Sequence, residues 1–231
     1  MQRIECRLIE MNECAEHIWH VRLAPAQAVT YKPGQYLQVI MGDKDKRPFS
    51  IASSPTREGI ELQIGAMPGN AYPGEVLERL RQTGSLSVEM PLGKAWLREE
   101  SGRPILLIAG GTGYSYARAL LQYLMDTEMN RPVYLYWGVR HESQLYEGSE
   151  VETWSQEYGN LHFIPIVEHP ENGWKGRTGM VHEAVLADFA SLDQYDIYVA
   201  GRFEMAAVVR QTLRLRGVQD EHLFGDAYQF S

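Results

Sequence analysis

The stretch Ile105-Leu106-Leu107-Ile108-Ala109-Gly110-Gly111-Thr112-Gly113-Tyr114-Ser115-Tyr116-Ala117 decides the fold. Its first five residues are an unbroken apolar run, as expected of a strand buried on both faces of a parallel sheet. A glycine-rich turn follows, and apolar spacing of helical period runs over residues 115–125. Glycines at such a junction let the backbone turn sharply and come close to a ligand. The helix start adds free N–H groups and the positive end of a dipole, which suit a pyrophosphate. The plainer alternative is a strand-to-helix turn that binds nothing. The stretch also departs from the standard dinucleotide fingerprint. Counted from Gly111 and Gly113, the third glycine position falls on Tyr116, which is bulky.

Working toward the C-terminus, strand and helix alternate. Residues 133–137, 161–167 and 196–200 read as strands, and 148–157, 178–189 and 204–215 as helices. This alternation predicts a doubly wound parallel sheet. Working toward the N-terminus, the period changes to two. Residues 3–9, 17–23, 35–40, 60–64 and 85–89 read as half-buried strands, with one short helix over 74–80. Short strands punctuated by Gly and Pro predict a small antiparallel β-barrel. The charged segment Arg98-Glu99-Glu100-Ser101-Gly102 separates the two patterns. The expected domains are therefore 1–98, a barrel, and 103–231, an α/β nucleotide-binding domain.

The composition excludes several classes. At 231 residues the chain can hold two small domains, each with its own core. A net charge of −8, with no basic stripe, argues against nucleic acid or an anionic membrane as partner. No apolar run approaches the ~20 residues that span a bilayer. The N-terminus lacks the apolar core of a signal peptide, so the cytoplasm is expected. Cys6 and Cys14 could form one disulfide, although two reduced thiols are the simpler expectation there. They are too few to hold an iron–sulfur cluster with four thiolates. His162, His169 and His182 lack metal-ligand spacing, and no metal is expected.

A second motif, Arg47-Pro48-Phe49-Ser50-Ile51-Ala52-Ser53, says little alone. It gains meaning beside Gly110–Gly113 and a third element, Ala200-Gly201-Arg202-Phe203-Glu204-Met205. These three elements, in this order, resemble the ferredoxin–NADP reductase family. That family carries Arg-x-Tyr/Phe-Ser on a barrel strand, then Gly-Gly-x-Gly, then Cys/Ala-Gly-Pro/Arg-x-x-Met. Within it, Arg47–Ser50, Gly93-Lys94-Ala95-Trp96-Leu97-Arg98 and Leu223-Phe224-Gly225-Asp226-Ala227-Tyr228 look like the bacterial NAD(P)H:flavin oxidoreductase group.

The resemblance implies an oxidoreductase that passes a hydride from NADH or NADPH to flavin N5. By the same resemblance Ser50 places its hydroxyl at N5, and Arg47, Pro48 and Phe49 hold the flavin. Phe224 and Asp226 are expected near the flavin, with an ordinary C-terminal strand as the alternative. Tyr36 and Tyr72 are candidates for the flavin pocket, with a place in the core as theirs. The nicotinamide nucleotide is expected on Gly110, Gly111, Thr112, Gly113, Tyr114, Ser115, Gly201, Arg202 and Phe203. The second strand ends Trp137-Gly138-Val139-Arg140 without a carboxylate for the ribose. Arg140 is therefore a candidate for a 2′-phosphate, or else a solvated charge.

Relatives that hold FAD permanently use Gly-x-x-Ser/Thr to bind its phosphates. The counterpart here is Gly65-Ala66-Met67-Pro68, and Pro68 has neither hydroxyl nor backbone N–H. The flavin (riboflavin, FMN or FAD) is thus expected as a dissociable substrate, with its users reached by diffusion. Two rival readings are a reductase subunit with bound flavin, serving a separate iron–sulfur or haem partner, and a nucleotide-sensing scaffold without turnover.

Overall fold

Burial alternates along Ser85–Leu92 so that Leu86, Val88 and Met90 point inward while their neighbours are half-buried. The same period organises a six-stranded antiparallel sheet of β1 (Gln2–Ala15), β2 (Ile18–Pro25), β3 (Tyr36–Gly42), β4 (Asp45–Ser50), β5 (Ile60–Gly65) and β6 (Ser85–Leu92). Their order is β4-β3-β6-β1-β2-β5. β4 and β5 are the edge strands, and the chain leaving β4 carries its pairing from the β3 side across to β5. Ile51 N–H donates to Gln35 O at 3.2 Å and Ala52 N–H to Glu61 O, on β5, at 2.8 Å. The sheet is thereby rolled into the barrel that the two-residue period predicts.

This computed structural model describes residues 1–128 and 130–229, and divides into two units. The first is Met1–Leu97 with Arg118–Asp126, and the second is Arg98–Ala117 with Thr127–Ser231. In the first unit, α1 (Ala71–Thr83) lays Val76, Leu77 and Leu80 on the barrel core, and its Pro73 is buried too. The helix is longer than the apolar spacing over 74–80 suggests, because Pro73 sits in its first turn, where a missing N–H does no harm. It stops at Gly84, left-handed at φ 68°, whose N–H bonds Leu80 O.

Helix α2 (Tyr114–Asp126) contributes its last nine positions to the first unit. There Arg118 donates to Ala52 O at 2.9 Å and to Glu61 Oε2 at 2.6 Å. Burial pushes the Glu61 carboxyl up, but the His20 hydrogen bond and the Arg118 charge outweigh it and hold the group at about 2.

The second unit is a six-stranded parallel sheet: β7 (Ile105–Gly110), β8 (Val133–Val139), β9 (Leu161–Val167), β10 (Arg177–Thr178), β11 (Asp196–Ala200) and β12 (Leu223–Phe224). Its order is β10-β9-β8-β7-β11-β12. The remaining helices are α3 (Gly148–Glu157), α4 (Val181–Asp188) and α5 (Phe203–Arg214). The doubly wound expectation holds, with one difference. Thr178, expected in a helix, belongs to β10, and α4 begins only after Gly179, at φ 111°.

A buried charge ties this unit together. Asp196, 1% exposed, accepts from Arg131 at 2.8 Å and pairs with His222 Nδ1 at 2.9 Å. Arg131 also donates to the carbonyls of Arg98 and Arg103, so it anchors the charged segment before β7.

Candidate functional site

In the barrel unit, β3 and β4 run antiparallel with Tyr36 opposite Ser50 and Val39 opposite Arg47. Ser50 is half-buried at the end of β4, and its hydroxyl has no hydrogen-bond partner among the described residues. Phe49 packs against the barrel core, while Pro48 is exposed. Arg47 is buried. Its guanidinium grips Asp45 through both Nε (2.9 Å) and Nη2 (2.6 Å), pairs with Glu75 at 2.7 Å and donates to Tyr72 O at 2.5 Å. The Arg47 hydrogen bond holds Asp45 below the usual carboxylate range.

Tyr72 is not a core residue. It lies on α1 rather than on a strand, is 45% exposed, and stacks its ring 4.5 Å from the Arg47 guanidinium. Tyr36 is half-buried on β3. The loop from Gly65 to Asn70 leads into α1 with Met67, Pro68, Gly69 and Asn70 all exposed, and Asn70 makes no side-chain cap.

In the second unit, β7 ends at Gly110, a short 3₁₀ turn spans Gly111–Gly113, and α2 follows. The glycines differ in their reasons. A Cβ at Gly110 would collide with the Met205 thioether, and one at Gly113 with the Ala200 carbonyl oxygen. Gly111 is left-handed at φ 54° and faces open space. Only Gly111 combines a backbone need for glycine with room for a ligand. The loop is braced from below by Trp137, whose Nε1 donates to Gly111 O at 2.9 Å. Tyr114 stacks on the same indole, with ring centroids 3.9 Å apart, and Tyr146 meets it edge-on.

Thr112 is exposed, and its hydroxyl is without a partner among the described residues. Ser115 is buried. Gly110 pairs with Gly138 across β7 and β8, and Ala109 with Ala200 across β7 and β11. Hence the 110–113 turn, Arg140 and Gly201-Arg202-Phe203 all follow the carboxyl ends of neighbouring strands. The chain leaves β7 toward β8 on one side, and β11 lies on the other, so the turn stands at the sheet's topological switch point. Open α/β sheets bind ligands at that place. Arg140 and Arg202 are exposed and carry no side-chain partner among the described residues, and Phe203 is 64% exposed.

Residues 107–211 match the model of the oxidoreductase NAD-binding domain. An NAD(P)H-flavin reductase of Aliivibrio fischeri is 49% identical over 98% of this chain and 99% of its own length. One from Vibrio harveyi is 46% identical over the same shares. The chain belongs to the NAD(P)H-flavin reductase family. The reductase also shares its fold with solved structures at lower identity. Amycolatopsis cytochrome P450 reductase GcoB aligns with a TM-score of 0.88 at 22% identity, over 97% of the reductase and 69% of the other chain. The ferredoxin reductase in carbazole 1,9a-dioxygenase aligns with a TM-score of 0.85 at 25% identity, over 98% and 69%.

Near its C-terminus the reductase places Phe224 on β12, stacked on Tyr198 and under the Arg98 guanidinium. Asp226 follows in a short 3₁₀ turn, where burial alone pushes its carboxyl up to about 7. Nothing in the local sequence around Asp226 signals this shift, which comes from burial in the fold. The Arg47 carboxylates and the Trp137 brace are likewise absent from the sequence expectations. Asp45 was within reach, since positions two apart on a strand share a face. Glu75 and Trp137 carried no signal. Among the described residues, no cluster of three or more His, Cys, Asp or Glu is placed to hold a metal, and no helix is long and apolar enough to cross a membrane.

Proposed function

We propose that the chain uses NADH or NADPH to reduce free flavin and then releases it. The flavin ring lies against Arg47–Ser50 of the barrel unit, with Tyr36 and Tyr72 as neighbours. The nicotinamide nucleotide lies on the Gly110–Ser115 turn and Gly201–Phe203, with Arg140 open to a 2′-phosphate. The nicotinamide supplies a hydride to flavin N5.

The observation that carries this reading is the Ser50 hydroxyl: half-buried at the end of a barrel strand, beside Tyr36, and without a hydrogen-bond partner among the described residues. A half-buried hydroxyl that water can reach and that no described residue engages is available as donor or acceptor to a ligand. In the second unit, Gly111 leaves the backbone open to a pyrophosphate, and Thr112 has a hydroxyl free for the nicotinamide ribose or carboxamide. The protein's part is binding and orientation, because the two ring systems carry the redox chemistry. Holding reactants in near-attack geometry is worth about 7–11 kcal/mol, far more than one hydrogen bond.

The loop at Gly65–Pro68 offers no hydroxyl to a flavin phosphate, which supports a flavin that comes and goes. Steady-state oxidation of NADH and of NADPH, with and without riboflavin, tests the reading. Oxidation should depend on added riboflavin and saturate with it. Oxidation indifferent to riboflavin would reject it.

A further inference from the structure

Resting on the flavin reading above, we propose that Asp45 and Glu75 set flavin specificity: they occupy Arg47 and turn the barrel's site against a phosphate, so riboflavin binds in preference to FMN.

Arg47 is the cation nearest Ser50 in sequence, and its planar fork would suit a phosphate. The structure commits that fork elsewhere. Nε and one Nη2 hydrogen grip Asp45, a second Nη2 contact goes to Glu75, and Nη1 donates to the Tyr72 carbonyl. Four of the five guanidinium N–H groups are therefore in use. The Tyr72 ring is stacked 4.5 Å from the guanidinium carbon. In charge, one cation against two carboxylates leaves −1.

The neighbouring cations are engaged too. Lys46 holds Glu89 at 2.8 Å, and Arg79 donates to the carbonyls of Ile40 and Met41. A flavin phosphate, with a charge of about −1.5 to −2, must then displace a carboxylate from Arg47 or sit beside an excess negative charge. The isoalloxazine ring and ribityl chain are neutral and meet no such cost. Glu75 lies on α1, 28 positions from Arg47, and its role depends on the fold bringing the two together.

The test is a titration of riboflavin and FMN, followed by flavin fluorescence, on wild type, Glu75→Gln and Asp45→Asn/Glu75→Gln. Wild type should bind FMN more weakly than riboflavin. The ratio of the two dissociation constants should fall about two- to fivefold in Glu75→Gln, the scale of one partly exposed charge, and further in the double variant. The change should shrink in about 0.5 M salt, where screening acts within a few ångströms. A wild type that binds FMN as tightly as riboflavin overturns the proposal, as does a ratio unmoved by both variants. Riboflavin binding reports the fold of each variant, and Glu75→Gln decides alone if the double variant fails to bind it. A wild type that binds neither flavin is a different outcome: it removes the flavin reading itself, and this inference with it.

Discussion

Ser50 shows how little a single side chain needs to contribute. Its hydroxyl stands without a partner among the described residues at the end of β4, with Tyr36 opposite on β3. One neutral hydrogen bond is worth about 0.5–1.5 kcal/mol, which corresponds to about two- to twelvefold in rate. Ser50→Ala should lower flavin turnover by that factor while thermal unfolding stays unchanged, since no protein bond is lost. Unaltered kinetics would remove Ser50 from the mechanism. Asp226 makes the opposite case, a group whose environment costs stability. Its folded pKa is about 7 against an ordinary 3.8. The unfolded chain therefore loses this proton first as pH rises. Stability is greatest below about pH 4, declines from there to about pH 7, and is then level. Asp226→Asn should raise the melting temperature at pH 8 and leave it nearly unchanged at pH 4. A lower melting temperature at pH 8 would show that the carboxylate has a partner worth more than its burial costs.

At the scale of elements, packing fixes two of the three glycines in the 110–113 turn, Gly110 and Gly113. Gly113→Ala must push the Ala200 carbonyl away, and overpacking of this kind costs about 1–3 kcal/mol. Chemical denaturation should register that loss, whereas Thr112→Ala, at an exposed position, should leave stability alone and weaken only nicotinamide nucleotide binding. Equal stability of Gly113→Ala and wild type would contradict the packing account. The contact of α2 with the barrel strands is similarly specific. Arg118→Met leaves the half-buried Glu61 with His20 as its remaining charged partner among the described residues, and breaking a fully buried pair costs about 3–5 kcal/mol, so the loss here should lie at or below the low end of that range. Because Glu61 is lowered from 4.5 to about 2, the pair's contribution should be fully present at neutral pH and decline as pH falls from about 4.5 to about 2.

These elements also show what the sequence made legible. Strands β9 and β11 and helix α3 were readable to their ends, because apolar runs and helical spacing there have little competition. The start of α1 was hidden by Pro73, which reads as a break although it is harmless in a first turn. The end of α4 was readable and its start was not, because Gly179 stops the pattern before Val181. Motifs are readable because their residues are neighbours in sequence. Glu75 beside Arg47, Arg118 beside Glu61 and Trp137 beneath Gly111 lie 26 to 57 positions from what they touch, and no local pattern marks them.

For the whole molecule, the net charge of −8 sets the background against which an anionic cofactor must bind. Local N–H groups and unpaired arginines, rather than the overall field, have to supply the attraction. On the proposed reading Arg140 and Arg202, exposed and without a side-chain partner among the described residues, serve in that way, and increasing salt should weaken NADPH binding more than NADH binding if Arg140 takes the 2′-phosphate. Arg140→Gln should abolish that difference, and equal salt dependence in wild type would count against the assignment.

The central claim concerns release: the flavin is a substrate that leaves after reduction. The most direct measurement mixes a trace of desalted protein anaerobically with NADH and excess riboflavin, then counts reduced riboflavin in the protein-free filtrate. The account predicts many equivalents of reduced riboflavin per protein in that filtrate. One equivalent or less, all of it retained with the protein, would contradict it.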